Sequence, residues 1–267
     1  MSSRPIRDPR GPFIAEQIHD GDRYELSHGH PIYCAPAGKD HAGGNLIGAR
    51  VLGTDPDVEW AGIDAGFSPE PGGLRAPDIA VGKVAKPPRD GQGWIPGAPP
   101  LAVEYAGVGQ EEADLKQKIA ELLTAGARWV WVVRLVGPRR VEVHAPNAAV
   151  RILTPGDRLE APGVLRNPVP VEALFDARAA DEAALRNLLQ RHGYADLDAV
   201  RSEGQAEGQA LAVLQLLEGR GLAVSPSQRE RILGCRDNEQ LRDWLLRAAV
   251  AADAAELFAG PQASKQI

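Results

Sequence analysis

The sequence predicts an α/β core followed by an all-α tail, and three observations carry that prediction. Two short apolar runs, Ile79-Ala80-Val81 and Leu101-Ala102-Val103-Glu104-Tyr105, each hold a carboxylate among small residues or directly follow one. An amphipathic segment from Glu111 to Gly126 then leads into a third apolar run, Trp129-Val130-Trp131-Val132-Val133. Near Asp176 the composition changes: Ala, Leu, Arg, Glu and Gln dominate from Ala179 onward and strand signals almost vanish. These features divide the chain into a flexible arm over residues 1–11, a core over 12–176 and a helical tail over 177–267.

Composition bounds the function. A chain of 267 residues with 43% hydrophobic content can bury a substantial core. The formal charge of −6 excludes a generally basic nucleic-acid coat, so contact with DNA would have to come from local clusters. Cys34 and Cys235 stand far apart in unlike contexts, which indicates neither a disulfide framework nor a zinc site, and a reducing cytoplasm is the expected setting. No apolar segment approaches membrane-spanning length, so a membrane location is not expected.

Taken in order, the Arg- and Pro-rich opening from Met1 to Gly11 reads as the loose arm. Phe13, Ile14, Gln17 and Ile18 suggest a short helical stretch, closed by the turn Asp20-Gly21-Asp22. Tyr24-Glu25-Leu26 and Pro31-Ile32-Tyr33 suggest a hairpin around Ser27 to His30. Glu25 is either a surface strand charge or a third acid for a metal site. His28 and His30 have ligand-like spacing, but nothing beside them completes a zinc set. His41 opens a helical segment through Leu52 in spite of Gly43, Gly44 and Gly48, which close packing against a sheet would explain. Lys83, Lys86 and Arg89 with Trp94 could grip a nucleic-acid backbone and stack on a base, or serve solubility alone. Gly107-Val108-Gly109 is too short for a phosphate-binding fingerprint.

The two acidic runs are the informative part. Side chains alternate along a strand, so Leu101, Val103 and Tyr105 share one face while Glu104 shares the other with Ala102 and Ala106. Asp78, Ala80 and Gly82 repeat the arrangement, which lets Asp78 and Glu104 converge on one uncrowded site. Paired carboxylates repel unless a cation neutralises them. Oxygen ligands in this number suit Mg²⁺, with Mn²⁺ as a substitute, because Mg²⁺ keeps several waters and uses few carboxylates. On the following helix Leu115, Ile119, Leu122 and Leu123 make the apolar stripe, and Lys118 lies at its border beside Asp114. A border lysine either forms an ordinary surface pair or leans over the sheet toward the acids, where it would orient water and stabilise charge on a phosphate.

Pro77-Asp78, Glu104 at a strand end, Asp114-xxx-Lys118 with Gly126 eight residues on, and the Trp129 to Val133 run together resemble the Uma family of restriction endonucleases, within the PD-(D/E)xK nuclease superfamily. The resemblance covers roughly residues 10 to 176. It implies a restriction-endonuclease-like mixed central sheet flanked by helices, with a metal held by Asp78 and Glu104 and with Lys118 as the catalytic lysine. Ala106 stands where the superfamily's usual lysine would be, and Lys118 matches the alternative position on the next helix. Gly107 stands where the family often has a serine.

After the core, His144 falls late on a strand and reads as structural. In the tail, Leu211, Leu214 and Leu217 precede Gly219, Ser225-Pro226-Ser227 starts another helix, and Asp237 or Asn238 caps a third bearing Leu241, Trp244, Leu245 and Ala248. This tail is similar to the carboxy-terminal helical segment of recombination-promoting nucleases, and it is expected to serve packing or self-association into a homo-oligomer. The expectation for the whole is a Mg²⁺-dependent phosphodiesterase, a DNA endonuclease. The rival is a non-catalytic nucleic-acid-binding or regulatory assembly protein that keeps a nuclease fold.

Overall fold

The computed structural model describes residues 11–86, 93–108 and 111–259. Residues 1–10 of the expected arm, Arg89 and Gly109 lie outside the described residues. In chain order the first unit contains β1 (Tyr24–Ser27), β2 (His30–Tyr33), α1 (Lys39–Gly53), β3 (Trp60–Ile63), β4 (Phe67–Ser68), β5 (Ile79–Gly82), β6 (Ile95–Pro96) and β7 (Leu101–Ala106). It continues with α2 (Glu112–Thr124), β8 (Trp129–Arg134), β9 (Arg140–His144), β10 (Arg151–Leu153), β11 (Arg158–Leu159), β12 (Val169–Pro170) and α3 (Ala177–Arg191). Short 3-10 turns cover Ala15–Gln17 and Val171–Leu174.

Six strands form the central sheet in the order β10-β9-β8-β7-β5-β3. Only β7 and β8 run parallel, and α2 makes the crossover between them, so the sheet is mixed as expected. The alternation read along Leu101 to Ala106 decides which helix covers which face. Ile79, Val81, Leu101, Val103, Tyr105, Trp131 and Val133 pack together with Val51 and Leu52 of α1 and with Ala180 and Ala183 of α3. On the opposite face the small Ala102 and Ala106 join Val130 and Val132 under Leu115, Ile119 and Leu122 of α2. Residues 130–133 are fully buried, as a strand covered on both faces requires.

The glycines of α1 are where the helix meets the sheet. A Cβ on Gly44 would lie 2.6 Å from the Tyr105 ring, and one on Gly48 would lie 2.7 Å from Ile79 Cδ1. Glycine therefore lets the helix backbone sit directly on the sheet, outweighing its poor helix propensity. The β1–β2 hairpin forms around Ser27 to His30 as expected, with Ser27 opposite His30, and its turn places His28 and Gly29 at positive φ.

The division of the chain differs from the expected boundary at Asp176. The first compact unit runs through His192 and the second begins at Gly193. The reason is α3, which buries Ala180, Ala183 and Ala184 and sends Asn187 Nδ2 to Val51 O at 3.1 Å. The second unit holds α4 (Leu197–Gly219), α5 (Pro226–Leu233) and α6 (Asn238–Ala248), closed by a 3-10 turn over Ala254–Phe258. Ser225 and Gln228 form a capping box on α5, and Asp237 caps α6 through Glu239 N and Gln240 N. Its core gathers Ala210, Val213, Leu217, Ile232, Leu241 and Trp244. Among the described residues no helix is long and apolar enough to cross a membrane.

Candidate active site

Strand register brings the two acids level. On the antiparallel pair β5 and β7, Ile79 faces Val103 and Ala80 faces Ala102, so one further step along the ladder sets Asp78 against Glu104. Glu104 lies on the α2 face and is 3% exposed, while Asp78 ends the approach to β5. Asp78 Oδ2 accepts the Tyr105 backbone N–H at 2.6 Å. Its Oδ1 lies 2.8 Å from His41 Nε2 and 3.5 Å from Asn45 Nδ2 of α1.

Lys118 leans inward from α2 and its side chain is only 12% exposed. Its amine lies 3.0 Å and 3.1 Å from the two Glu104 oxygens, 2.9 Å from Glu25 Oε1 and 2.8 Å from the Ala76 carbonyl. Among the described contacts it makes no hydrogen bond to Asp78. The structure thus brings Lys118 directly onto Glu104 and sets Asp78 beside them, held by a separate set of donors.

Burial pushes the Glu104 carboxyl up to about 8; Lys118 opposes this, and Asp78 and Glu25 add to it. Burial also works against the Lys118 charge, but Glu104, Glu25 and Asp78 together outweigh it and hold the amine protonated well above its ordinary range. His41 is raised, chiefly by its hydrogen bond to Asp78. Asp64, on an exposed turn at positive φ after β3, has its carboxyl raised by desolvation in the cleft and by Asp78.

Glu25, read as either a surface charge or a third acid, is not on the surface: it is buried, its Oε1 lies 2.9 Å from the Lys118 amine and accepts from Ala76 N (3.2 Å), and its Oε2 accepts from Arg75 Nη1 at 2.9 Å. Arg75 also donates through Nε to Glu121 Oε2 at 2.6 Å. Asn45, Asp64, Arg75 and Glu121 carried no motif signal; only the nearness of Arg75 to Pro77-Asp78 hinted at one. His28 lies 3.7 Å from Glu121, an exposed contact, and does not combine with His30. Lys83, Lys86 and Trp94 line a cleft of about 1140 Å³ together with Trp60 and Asp64. Trp94 is tied down there by its Nε1 donating to Ala15 O at 2.8 Å. His144 stands away from the acids, beside Glu142 at 4.0 Å, and its Nε2 has no hydrogen-bond partner.

Whether a divalent cation fits depends on this donor set. Glu104 Oε1 is buried and, although 3.0 Å from the amine, lies off the angle for a hydrogen bond and has no partner of that kind. Three acids, Glu25, Asp78 and Glu104, surround the Lys118 ammonium, and the Arg75 guanidinium closes on Glu25. A largely buried excess of acidic groups suits a cation. Among the described residues no three His, Cys, Asp or Glu side chains are gathered as a full ligand set. Asp78 and Glu104 are the carboxyl groups that could hold an ion here, and with so few ligands it would have to be one that keeps most of its water, as Mg²⁺ does.

A family profile described as "Putative restriction endonuclease" (Uma2) matches residues 13–169, more than half of the chain. Four chains of known structure match significantly. One is described as a "putative nuclease belonging to DUF820" from Anabaena variabilis ATCC 29413, with a TM-score of 0.53 and 17% identity, covering 61% of this chain and 98% of the other. Likeness at that identity speaks for the fold. No curated protein gives a significant match.

Proposed function

The chain belongs to the Uma2 family, and from that premise we propose that it is a Mg²⁺-dependent phosphodiesterase that cleaves DNA internally. The observation that carries this reading is the placement of a protonated Lys118 amine on Glu104, with Asp78 level with Glu104 just before the adjoining strand. Asp78 and Glu104 would hold the ion. When bound, a divalent ion supplies an activated water and offsets charge on the phosphate. Lys118 adds a fixed positive charge beside Glu104, where it would orient the attacking water and favour the more highly charged transition state. His41, Asn45 and the Tyr105 N–H fix the Asp78 carboxylate so that it need not reorganise.

One observation favours the non-catalytic alternative. An ammonium has three donors, and those of Lys118 already face Ala76, Glu104 and Glu25, so one must be released to meet substrate. Cleavage of plasmid and oligonucleotide DNA with Mg²⁺ or Mn²⁺ separates the readings. Asp78→Ala, Glu104→Ala and Lys118→Ala should each lower the rate by about a hundredfold or more. Cleavage that survives all three changes rejects this site, and no cleavage by the unaltered protein favours the binding or assembly role.

A further inference from the structure

We propose that the cleft lined by Trp60, Trp94 and Asp64 seats unpaired bases of the DNA strand being cut, with the two indoles as stacking platforms. The inference rests on the phosphodiesterase reading of the neighbouring site and names its substrate class: DNA that is single-stranded next to the scissile phosphate. Strand register places the cleft. Trp60 faces Gly82 and Gly62 faces Ala80 across β3 and β5, and the Asp64 N–H donates to the Asp78 carbonyl at 3.4 Å. Side chains alternate along a strand, so Trp60, Gly62 and Asp64 follow one another on the face that carries Asp78. From Trp60 to Asp64 is about 13 Å of extended chain, roughly four nucleotides at the ~3.4 Å rise of a stacked strand. A strand held for cutting at Asp78 can therefore reach the ring.

Both rings rest on glycines. A Cβ on Gly62 would lie 2.6 Å from the rim of the Trp60 indole, and one on Gly66 would lie 2.5 Å from that of Trp94. Trp60 is also held edge-on to Phe67, with centroids 6.3 Å apart, and Trp94 by its bond to Ala15 O. Each ring is half-buried and still lines the cleft, so a fixed aromatic surface faces the void. Charge decides which part of a nucleotide fits there. Glu16, Asp20, Glu59 and Asp64 line the cleft against Lys83 and Lys86, and Lys83 already lies 3.8 Å from Glu59. A lining with more carboxylates than ammonium groups repels phosphate and makes no track for the backbone. A base is uncharged and offers a π-face to the indoles, and adenine and cytosine carry amino groups from which carboxylates accept. In a duplex those faces are stacked and those amino groups paired, whereas an unpaired strand presents both. At about 1140 Å³ the cleft exceeds an ordinary small-molecule site and has room for more than one base.

The test measures binding of the full chain to labelled single strands by fluorescence anisotropy, in EDTA and, over times too short for cleavage, in Mg²⁺. The strands carry adenine at every position, thymine at every position, or no bases at all. The adenine strand should bind about five- to a hundredfold more tightly than the abasic one, with thymine between them, and a duplex should bind no better than the abasic strand. Trp60→Ala should lose most of this preference while binding the abasic strand as before, and Trp60→Phe should restore part of it. Equal binding of adenine and abasic strands by the unaltered protein overturns the proposal, as does binding of no strand at all. So does a Trp60→Ala variant that weakens on both strands alike, which is what a ring that only supports the fold would give. Should Trp60→Ala not fold, the comparison of strands on the unaltered protein decides alone. An arginine pentapeptide that binds in a Trp60-dependent way while DNA does not would assign the cleft to a cationic partner and overturn the proposal too. Base-dependent binding without any cleavage in Mn²⁺ refutes the phosphodiesterase reading and leaves the cleft assignment standing; cleavage without base-dependent binding does the reverse.

Discussion

The backbone N–H of Tyr105 donates to Asp78 Oδ2 at 2.6 Å, while the Tyr105 hydroxyl donates to the Leu174 carbonyl at 2.8 Å on the opposite side of the sheet. One residue therefore couples the candidate site to the packing of α1. Burial of that ring, together with Asp78, raises the phenol far above its ordinary range, so it stays a neutral donor.

This coupling predicts an unusual response to Gly48→Ala. In a helix the change normally stabilises, by about 0.5–1 kcal/mol. Here the new Cβ meets Ile79 Cδ1 at 2.7 Å and the Tyr105 hydroxyl, and the hydroxyl cannot swing away without losing Leu174. Overpacking should win, for a net loss of about 1–3 kcal/mol, read from urea unfolding. A variant as stable as the parent would mean that α1 does not lie this close to the sheet.

A second prediction concerns pH and cation. Stability varies with pH according to the difference in protons bound by the unfolded and native states. The Glu104 carboxyl titrates at about 8 in the fold against 4.5 ordinarily, so the native state keeps a proton that the unfolded chain gives up. Stability should therefore fall as pH rises from about 4.5 through about 8, by at most about 1.4 kcal/mol per pH unit for one proton. His41 acts in the same direction: raised above 6.5 by Asp78, it contributes fully below that value and loses its contribution as pH passes its folded value. Glu104→Gln should flatten the larger part of the slope and His41→Asn the smaller. Millimolar Mn²⁺ should raise the unfolding midpoint more at pH 8 than at pH 5, since the ion takes the proton's place. A slope unchanged by Glu104→Gln would remove Glu104 as its source.

How much of this was legible in the sequence follows from how local each feature is. The alternation of Leu101 to Ala106 is a property of six consecutive residues, and it correctly placed Glu104 on the small-residue face with α2 above. The border position of Lys118 on its helical wheel was likewise local, and the amine does reach Glu104. Glu25 could not be read this way. Its strand pattern is that of a half-exposed hairpin, and only the packing of that hairpin near α2 buries the carboxylate between Lys118 and Arg75. Asp64 sits in a turn whose composition says turn and nothing more. The end of the first unit was missed for a similar reason: α3 has the same Ala, Leu, Arg and Glu content as the helices after it, and composition does not say which body a helix covers.

The boundary yields the third prediction. A chain ending at Asp176 loses α3 and with it the buried Ala180, Ala183 and Ala184, and the bond from Asn187 to Val51 O. It also loses Arg191, whose Nη2 donates to the carbonyls of Gly53, Asp55 and Val58 at 2.9, 2.8 and 3.0 Å and so satisfies the end of α1. Counting about 0.8 kcal/mol for each buried methyl and about 1 kcal/mol for each hydrogen bond, the loss is on the order of 6 kcal/mol, comparable with the whole stability of many domains. A chain ending at His192 keeps all of these contacts. It should unfold cooperatively and retain the near-ultraviolet circular dichroism of Trp129 and Trp131, whose strand is buried in this unit. The chain ending at Asp176 should lose that signal. Equal behaviour of the two would show that α3 is not part of the first folding unit.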